Sequence, residues 1–221
     1  TGYRPIIDAA KSLNNKGSSD KFVKNKKKTI NLLKKIKPEN INITNRNKKY
    51  FAPRTINELK KTIKDHPNSK FLSGGTDLSL IVTKERRDID NIISLNSINE
   101  LNFIKKKNEN IIVGASTPLR EFELFIKKYY SDFNAILNRY GSVQIRNVGT
   151  IAGNIATASP IGDTLPLLLS LDAKVVLQSL NKKTILPLKN FFVSYRKTKL
   201  KKRQFIHSII IPIFKKSIFK A

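Results

Sequence analysis

Apolar residues recur at two periods along this chain, and each run is bounded by residues that break regular structure. Residues 55–67, TINELKKTIKDHP, carry Ile56, Leu59 and Ile63 at helical spacing, with Thr55 placed to cap the helix and Pro67 to end it. Thr117 and Pro118 have the chemistry of an N-cap and a first helical residue, ahead of Phe122, Phe125 and Ile126. A second helix is predicted over residues 133–139, and a short one over 4–13, after Pro5. Elsewhere the period is two. NIISL (91–95) reads as a strand, and LNFIKKKNENIIVGA (101–115) as two strands joined by a polar turn. AKVVLQS and KTILPL alternate like antiparallel strands, and FIHSIIIP is a last strand stopped by Pro212. FFVSYRK reads as a short helix or turn, and INLLKKIK as an isolated amphipathic turn or two. Helices and hairpins in this order predict an α+β fold rather than a uniform βαβ series.

Composition narrows the function classes. The 221 residues are 39% hydrophobic, too apolar for a wholly disordered chain and long enough to bury a core. The net charge is +27, densest in residues 21–37 and 195–203. These lysines do not alternate with aromatics in any recognition pattern, so nucleic-acid binding is not expected. A diffuse positive field attracts anions, phosphorylated ligands included. Without cysteine, this chain can hold no disulfide, thiolate nucleophile or Cys-bound iron–sulfur cluster. Its two histidines, His66 and His207, lie far apart and suggest no metal site. No apolar run reaches the ~18 residues of a membrane span, and no leader pattern is present.

Two glycine motifs carry candidate chemistry. In SGGTDL (73–78), Gly74 and Gly75 can take backbone angles closed to other residues and bring amides close to a ligand, while Thr76 adds a hydroxyl. The alternative is a tight turn after a strand. The motif is neither GxGxxG nor a phosphate loop ending in GK[ST]. Residues 143–168, VQIRNVGTIAGNIATASPIGDTLPLL, are small, turn-rich and nearly free of lysine. Gly149, Gly153 and Gly162 are expected to interrupt regular structure. Ala152, Ala156 and Ala158 keep the surface low enough for a planar ligand. Thr150, Asn154, Thr157, Ser159 and Asp163 offer polar partners. The alternative is a packed irregular loop.

Together, KFLSGGTDLSLIVTK, GSVQIRNVGTIAGNIATASPIGDTLP and FFVSYRKTKL resemble, in content, order and spacing, the PCMH-type FAD-binding domain of the xanthine dehydrogenase/molybdenum hydroxylase family. The resemblance covers residues 50–212 and is nearest to the small subunit of the bacterial xanthine dehydrogenases. It implies two α/β subdomains. It also implies that Lys70, Phe71, Leu72, Ser73, Gly74, Gly75, Thr76 and Asp77 form the loop over the FAD pyrophosphate, with Asp77 organising the turn. Thr150, Gly153 and Asn154 match the second cofactor loop, and Asp163 its carboxylate. Tyr140 stands where the family usually carries a Phe beside the flavin. Ile206 matches a Leu near the ring, and Lys197 a lysine near the cofactor. No side chain is expected to act as general acid or base.

The resemblance also implies an organisation. Residues 1–13 are similar to the end of a 2Fe–2S domain, 14–49 are expected to be a basic linker, flexible over 14–28, and 50–213 to be the FAD domain. Residues 214–221 are similar to the start of a C-terminal flavoprotein subdomain, the remainder of which is missing. The implied partners are an upstream 2Fe–2S domain, a large subunit with the molybdenum cofactor, and NAD as electron acceptor. The implied setting is a cytoplasmic purine-oxidising enzyme. Neither clusters nor molybdenum would be bound by this chain. The alternatives are the flavin module of an aldehyde oxidase or carbon monoxide dehydrogenase type of hydroxylase, or a cofactor-free structural piece.

Overall fold

The computed structural model describes residues 2–13, 20–37 and 39–214. They divide into two units, residues 1–39 and 40–221. The first unit holds two helices, Tyr3–Leu13 (α1) and Lys21–Lys35 (α2). Asp20 caps α2: its Oδ1 accepts from the amides of Phe22 and Val23, each at 2.8 Å. The stretch expected to be a flexible linker is therefore helical over residues 21–28. INLLKKIK is mostly the C-terminal part of that 15-residue helix rather than an isolated turn. A capping aspartate plus Phe22, Val23, Ile30 and Leu33 at helical spacing outweigh the lysine run. Residues 14–19 of that linker lie outside the described residues, as does SIFKA at 217–221.

The second unit opens with a hairpin, Ile41–Asn45 (β1) and Lys48–Ala52 (β2). Sheet structure thus begins before residue 50. Helix α3 (Ile56–Asp65) follows, with a full capping box between Thr55 and Glu58. Then come Lys70–Leu72 (β3), the short helix Ser79–Thr83 (α4) and Asn91–Ser94 (β4). The sheet order is β1-β2-β4-β3, with β2, β4 and β3 parallel. Leu59 and Ile63 of α3 pack with Ile93 of β4, Leu101 and Phe205 in one buried cluster.

Ile104–Lys107 (β5) and Asn110–Gly114 (β6) begin a second sheet. Lys174–Gln178 (β7), Lys183–Pro187 (β8) and the last strand complete it. A small hairpin, Phe192–Ser194 (β9) and Lys197–Thr198 (β10), stands where a short helix or turn was expected. Phe205–Pro212 (β11) lies at the centre of the five-stranded antiparallel order β5-β6-β11-β7-β8.

Five helices join the two halves of that sheet: Leu119–Ile126 (α5), Ser131–Arg139 (α6), Val143–Val148 (α7), Ile151–Thr157 (α8) and Thr164–Ser170 (α9). Phe122 and Phe133, edge to face at 5.6 Å, pack with Val113, Val175, Ile209 and Leu168 in the larger core. Three short helices thus replace the expected irregular stretch, and Gly153 sits inside α8 rather than breaking it. Thr117 does not cap α5. Its hydroxyl accepts from the Phe103 amide (3.1 Å) and donates to the Phe103 carbonyl (3.0 Å), while the Leu119 amide donates to Gly149 O at 2.7 Å. The fold is α+β, as the order of elements predicts.

Candidate functional site

The strand β11 places the site. Its first residue, Phe205, belongs to the smaller core, and the next, Ile206, to the larger. Where the two cores meet, both side chains line a cleft.

One wall is the loop after β3. Gly75 has φ +72°, a conformation side chains strain to adopt, and its carbonyl accepts from the Ser79 amide at 2.9 Å. Gly74 is glycine for a different reason. A Cβ there would stand 2.3 Å from Val148 O and 2.6 Å from Gly149 Cα. The first glycine loop therefore lies backbone against backbone on the second.

The other wall is α8. Thr150 caps it, accepting from the Gly153 amide at 3.0 Å, and Thr157 donates to Gly153 O at 3.0 Å. Small residues Ala152, Gly153 and Ala156 face the cleft. Asn154 lines it as well, and its Nδ2 donates to the Tyr140 hydroxyl at 2.9 Å and, more weakly, to Thr164 Oγ1 at 3.4 Å.

Of the residues matched above to the FAD site, Phe71, Ser73, Gly74, Gly75, Thr76 and Asp77 line the cleft from the first loop. Thr150, Gly153, Asn154 and Ile206 line it from the other side. Five stand elsewhere. Leu72 packs beneath Gly75, with Cδ1 within 3.0 Å of where a Cβ would be. Lys70 is exposed at a separate polar groove. Tyr140 sits behind Asn154. Asp163 is exposed in an adjoining groove beside Arg196. Lys197 is exposed on β10, and the neighbouring Arg196 is the residue that reaches the first loop, 3.5 Å from Asp77. Sequence reasoning missed the walls formed by Leu95, Ala115, Leu200 and Phe205. Ordinary core spacing hides them.

Behind the cleft lies a buried ion pair that spacing alone does not reveal. Arg146 Nε donates to Glu123 Oε2 at 3.0 Å, and its Nη1 donates to the carbonyls of Tyr140 (3.1 Å) and Gly141 (2.8 Å). Both charged side chains are almost wholly buried. Burial raises the Tyr140 phenol above its usual pKa, opposed by the bond from Asn154, with Asp163 and Asp77 raising it further. His207 lies on β11 beyond the cleft. Burial first, then the nearby Lys183 ammonium, lowers it to about 4, and the Lys183 Nζ stands 3.1 Å from its Nε2. It is therefore neutral near pH 7.

FAD fits this cleft on one test the structure itself supplies. Ser73 Oγ, on the cleft wall, is buried with no hydrogen-bond partner, and such an atom is costly unless a ligand satisfies it. Among the described residues no acidic, histidine or cysteine group is arranged to hold a metal, and no helix is long and apolar enough to cross a membrane.

The geometry is that of a flavin-binding α+β domain with two apposed glycine loops. Residues 42–214 match the FAD binding domain in molybdopterin dehydrogenase, and the chain belongs to that family. It is 32% identical over 179 residues to the xanthine dehydrogenase of Emericella nidulans, covering 76% of this chain and 13% of that protein. It is 34% identical over 148 residues to the nicotinate dehydrogenase FAD-subunit of Eubacterium barkeri, covering 65% of this chain and 50% of that one. Among solved structures, carbon monoxide dehydrogenase from Hydrogenophaga pseudoflava superposes with a TM-score of 0.71 at 25% identity, over 78% of this chain and 61% of that one. The chain thus spans half or less of these relatives' length in sequence.

Proposed function

We propose that this chain is the FAD-binding electron-transfer module of a xanthine dehydrogenase. In this reading it takes electrons from iron–sulfur clusters on a neighbouring domain and delivers them to NAD, while a molybdenum centre on a large subunit oxidises hypoxanthine or xanthine. The observation that carries the FAD assignment is the cleft between two backbone-packed glycine loops, with the orphaned Ser73 hydroxyl on its wall. Likeness to xanthine dehydrogenases from fungal and plant sources supports the branch.

Bound FAD supplies the redox chemistry, hydride exchange with a nicotinamide included. The protein supplies placement. The amides around Gly74, Gly75 and Thr76 would face the pyrophosphate. Ser73 Oγ and Thr150 would offer hydroxyls, and Ala152, Gly153 and Ala156 would let a ring lie close to α8. A second reading, the flavin module of a hydroxylase acting on another nitrogen heterocycle, rests on the 34% identity to the nicotinate dehydrogenase subunit.

The test is anaerobic titration of the FAD-loaded chain with NADH, followed by absorbance. Bleaching of the flavin by NADH supports NAD coupling. Flavin that bleaches with dithionite but not with NADH removes NAD from the proposal and leaves FAD binding in place.

A further inference from the structure

Seven lysines and five apolar residues make up most of the 15-residue helix α2, which contains no acidic residue. None of these lysines is paired with a carboxylate among the described residues. At the helical repeat of about 3.6 residues per turn the two kinds separate. Phe22, Val23, Ile30 and Leu33 fall within an arc of about 100°. Lys21, Lys24, Lys27, Lys28, Lys34 and Lys35 fall within an arc of about 140° on the other side. Leu32 lies outside the apolar arc. Lys26 lies inside it, where a long stem can run along apolar surface and keep its ammonium in water.

The apolar arc is bare. Phe22 is 75% exposed, Val23 60%, Leu33 59% and Ile30 39%. Helix α1, in the same unit, has no buried residue either, so it does not cover α2. Large apolar side chains gathered on one face and left in water mark an interaction surface.

A cover for α2 must match both of its faces. The unpaired ammonium groups select an anionic partner, and the arc needs an apolar layer within reach of that charge. A nucleic acid supplies the anions without the apolar layer. An acidic groove on a protein supplies both, but over one helix only, whereas the net charge of +27 is spread along the whole chain. A bilayer leaflet with anionic headgroups supplies both over an extended plane.

We propose that α2 is a surface anchor that lies flat on an anionic lipid bilayer, with its apolar arc at the base of the headgroups and the flanking lysines among them. The helix is about 22 Å long. No helix among the described residues is long and apolar enough to cross a membrane, so this contact rests on the bilayer and does not span it. The inference is independent of the flavin reading.

The chain has no tryptophan, so Phe22→Trp places a single reporter on the arc. The full 221-residue chain with this substitution is mixed with vesicles of phosphatidylcholine containing about 30% phosphatidylserine, and with vesicles of phosphatidylcholine alone. Emission should shift to the blue with the first and not with the second. In parallel, co-sedimentation with the anionic vesicles compares the parent chain with the double substitution Phe22→Ser, Leu33→Ser, which keeps every charge. The double variant should bind roughly tenfold more weakly, the scale of two apolar side chains returned to water. Binding equal to the parent's would show that charge alone holds the chain, and would overturn the proposal. Unchanged emission with the anionic vesicles would overturn it as well, whether or not the chain sediments. So would an equal blue shift with both kinds of vesicle, since the lysines would then contribute nothing. A blue shift that grows with chain concentration in the absence of lipid would show that a second copy covers the arc, and would also overturn it.

Discussion

Replacing Gly74 with alanine should damage the cleft more than any change of similar size. The added Cβ would stand 2.3 Å from Val148 O, and ordinary contact begins at 3.4 Å, so one loop must withdraw by about 1.1 Å. Both nearest neighbours are backbone atoms, so no side chain can swing aside. The Val148–Gly149 backbone is also not free to move. Gly149 N donates to Ile145 O at 2.7 Å, and Gly149 O accepts from the Leu119 amide, also at 2.7 Å, at the start of α5. Overpacking of this kind costs about 1–3 kcal/mol, and a lost backbone hydrogen bond adds about 1. A total of about 2–4 kcal/mol is expected in urea unfolding, with m unchanged. FAD affinity should fall at least tenfold, because the two walls separate. Gly75→Ala is the control. Its strain comes from φ +72°, about 1–2 kcal/mol, and its one close neighbour is the tip of the Leu72 side chain, which can shift. Gly74→Ala must therefore be the more damaging of the two. A Gly74→Ala chain within about 0.5 kcal/mol of the parent, with FAD affinity intact, would refute the claim that the loops are packed together.

Other expectations follow from the same geometry. Arg146→Met leaves buried Glu123 with Arg120 as its guanidinium partner and removes the bonds to the Tyr140 and Gly141 carbonyls, so it should cost about 1.5–3 kcal/mol, whereas changing Glu123 and Arg146 together to apolar residues should cost less; urea midpoints of the three chains decide this. His207 is depressed to about 4 when folded, so the unfolded chain binds the extra proton between roughly pH 6.5 and 4. Its contribution is therefore complete above pH 6.5 and is lost as the pH falls towards 4. His207→Gln should flatten the pH dependence of stability across that window, and identical slopes would contradict the assignment. Ser73→Ala removes the orphaned hydroxyl; it should leave the apo protein as stable or more so, yet weaken FAD binding, and calorimetry on both forms separates the two effects. Trypsin should cut α2 before any part of residues 40–214, because none of its side chains is buried.

Much of the frame was legible from local pattern. Thr55 with Glu58 reads as a helix start, and FIHSIIIP reads as a strand because its alternation and β-branched residues leave little choice. The glycine loops were legible as unusual, since lysine and aromatic residues vanish from 143–168 while glycine, alanine and threonine gather there. What Gly74 touches was not legible, because Val148 lies far along the chain and no local rule pairs them. Glu123 and Arg146 look like surface charges on short helices until α5, α6 and α7 close around them. Thr117 satisfies every local rule for a cap, but the Phe103 backbone offers both a donor and an acceptor and takes the hydroxyl instead. At the β9–β10 turn, Arg196 has φ +52°, which turns it rather than Lys197 toward Asp77. Positive φ at a non-glycine residue leaves no mark in the sequence.

The central claim is that these two loops form an FAD site. The most direct measurement is equilibration of the purified chain with excess FAD, gel filtration, and an absorption spectrum before and after acid precipitation. The account predicts about one flavin per chain co-eluting with the protein and released to the supernatant by acid. Protein that elutes without flavin at micromolar FAD, with its circular dichroism spectrum intact, would contradict it.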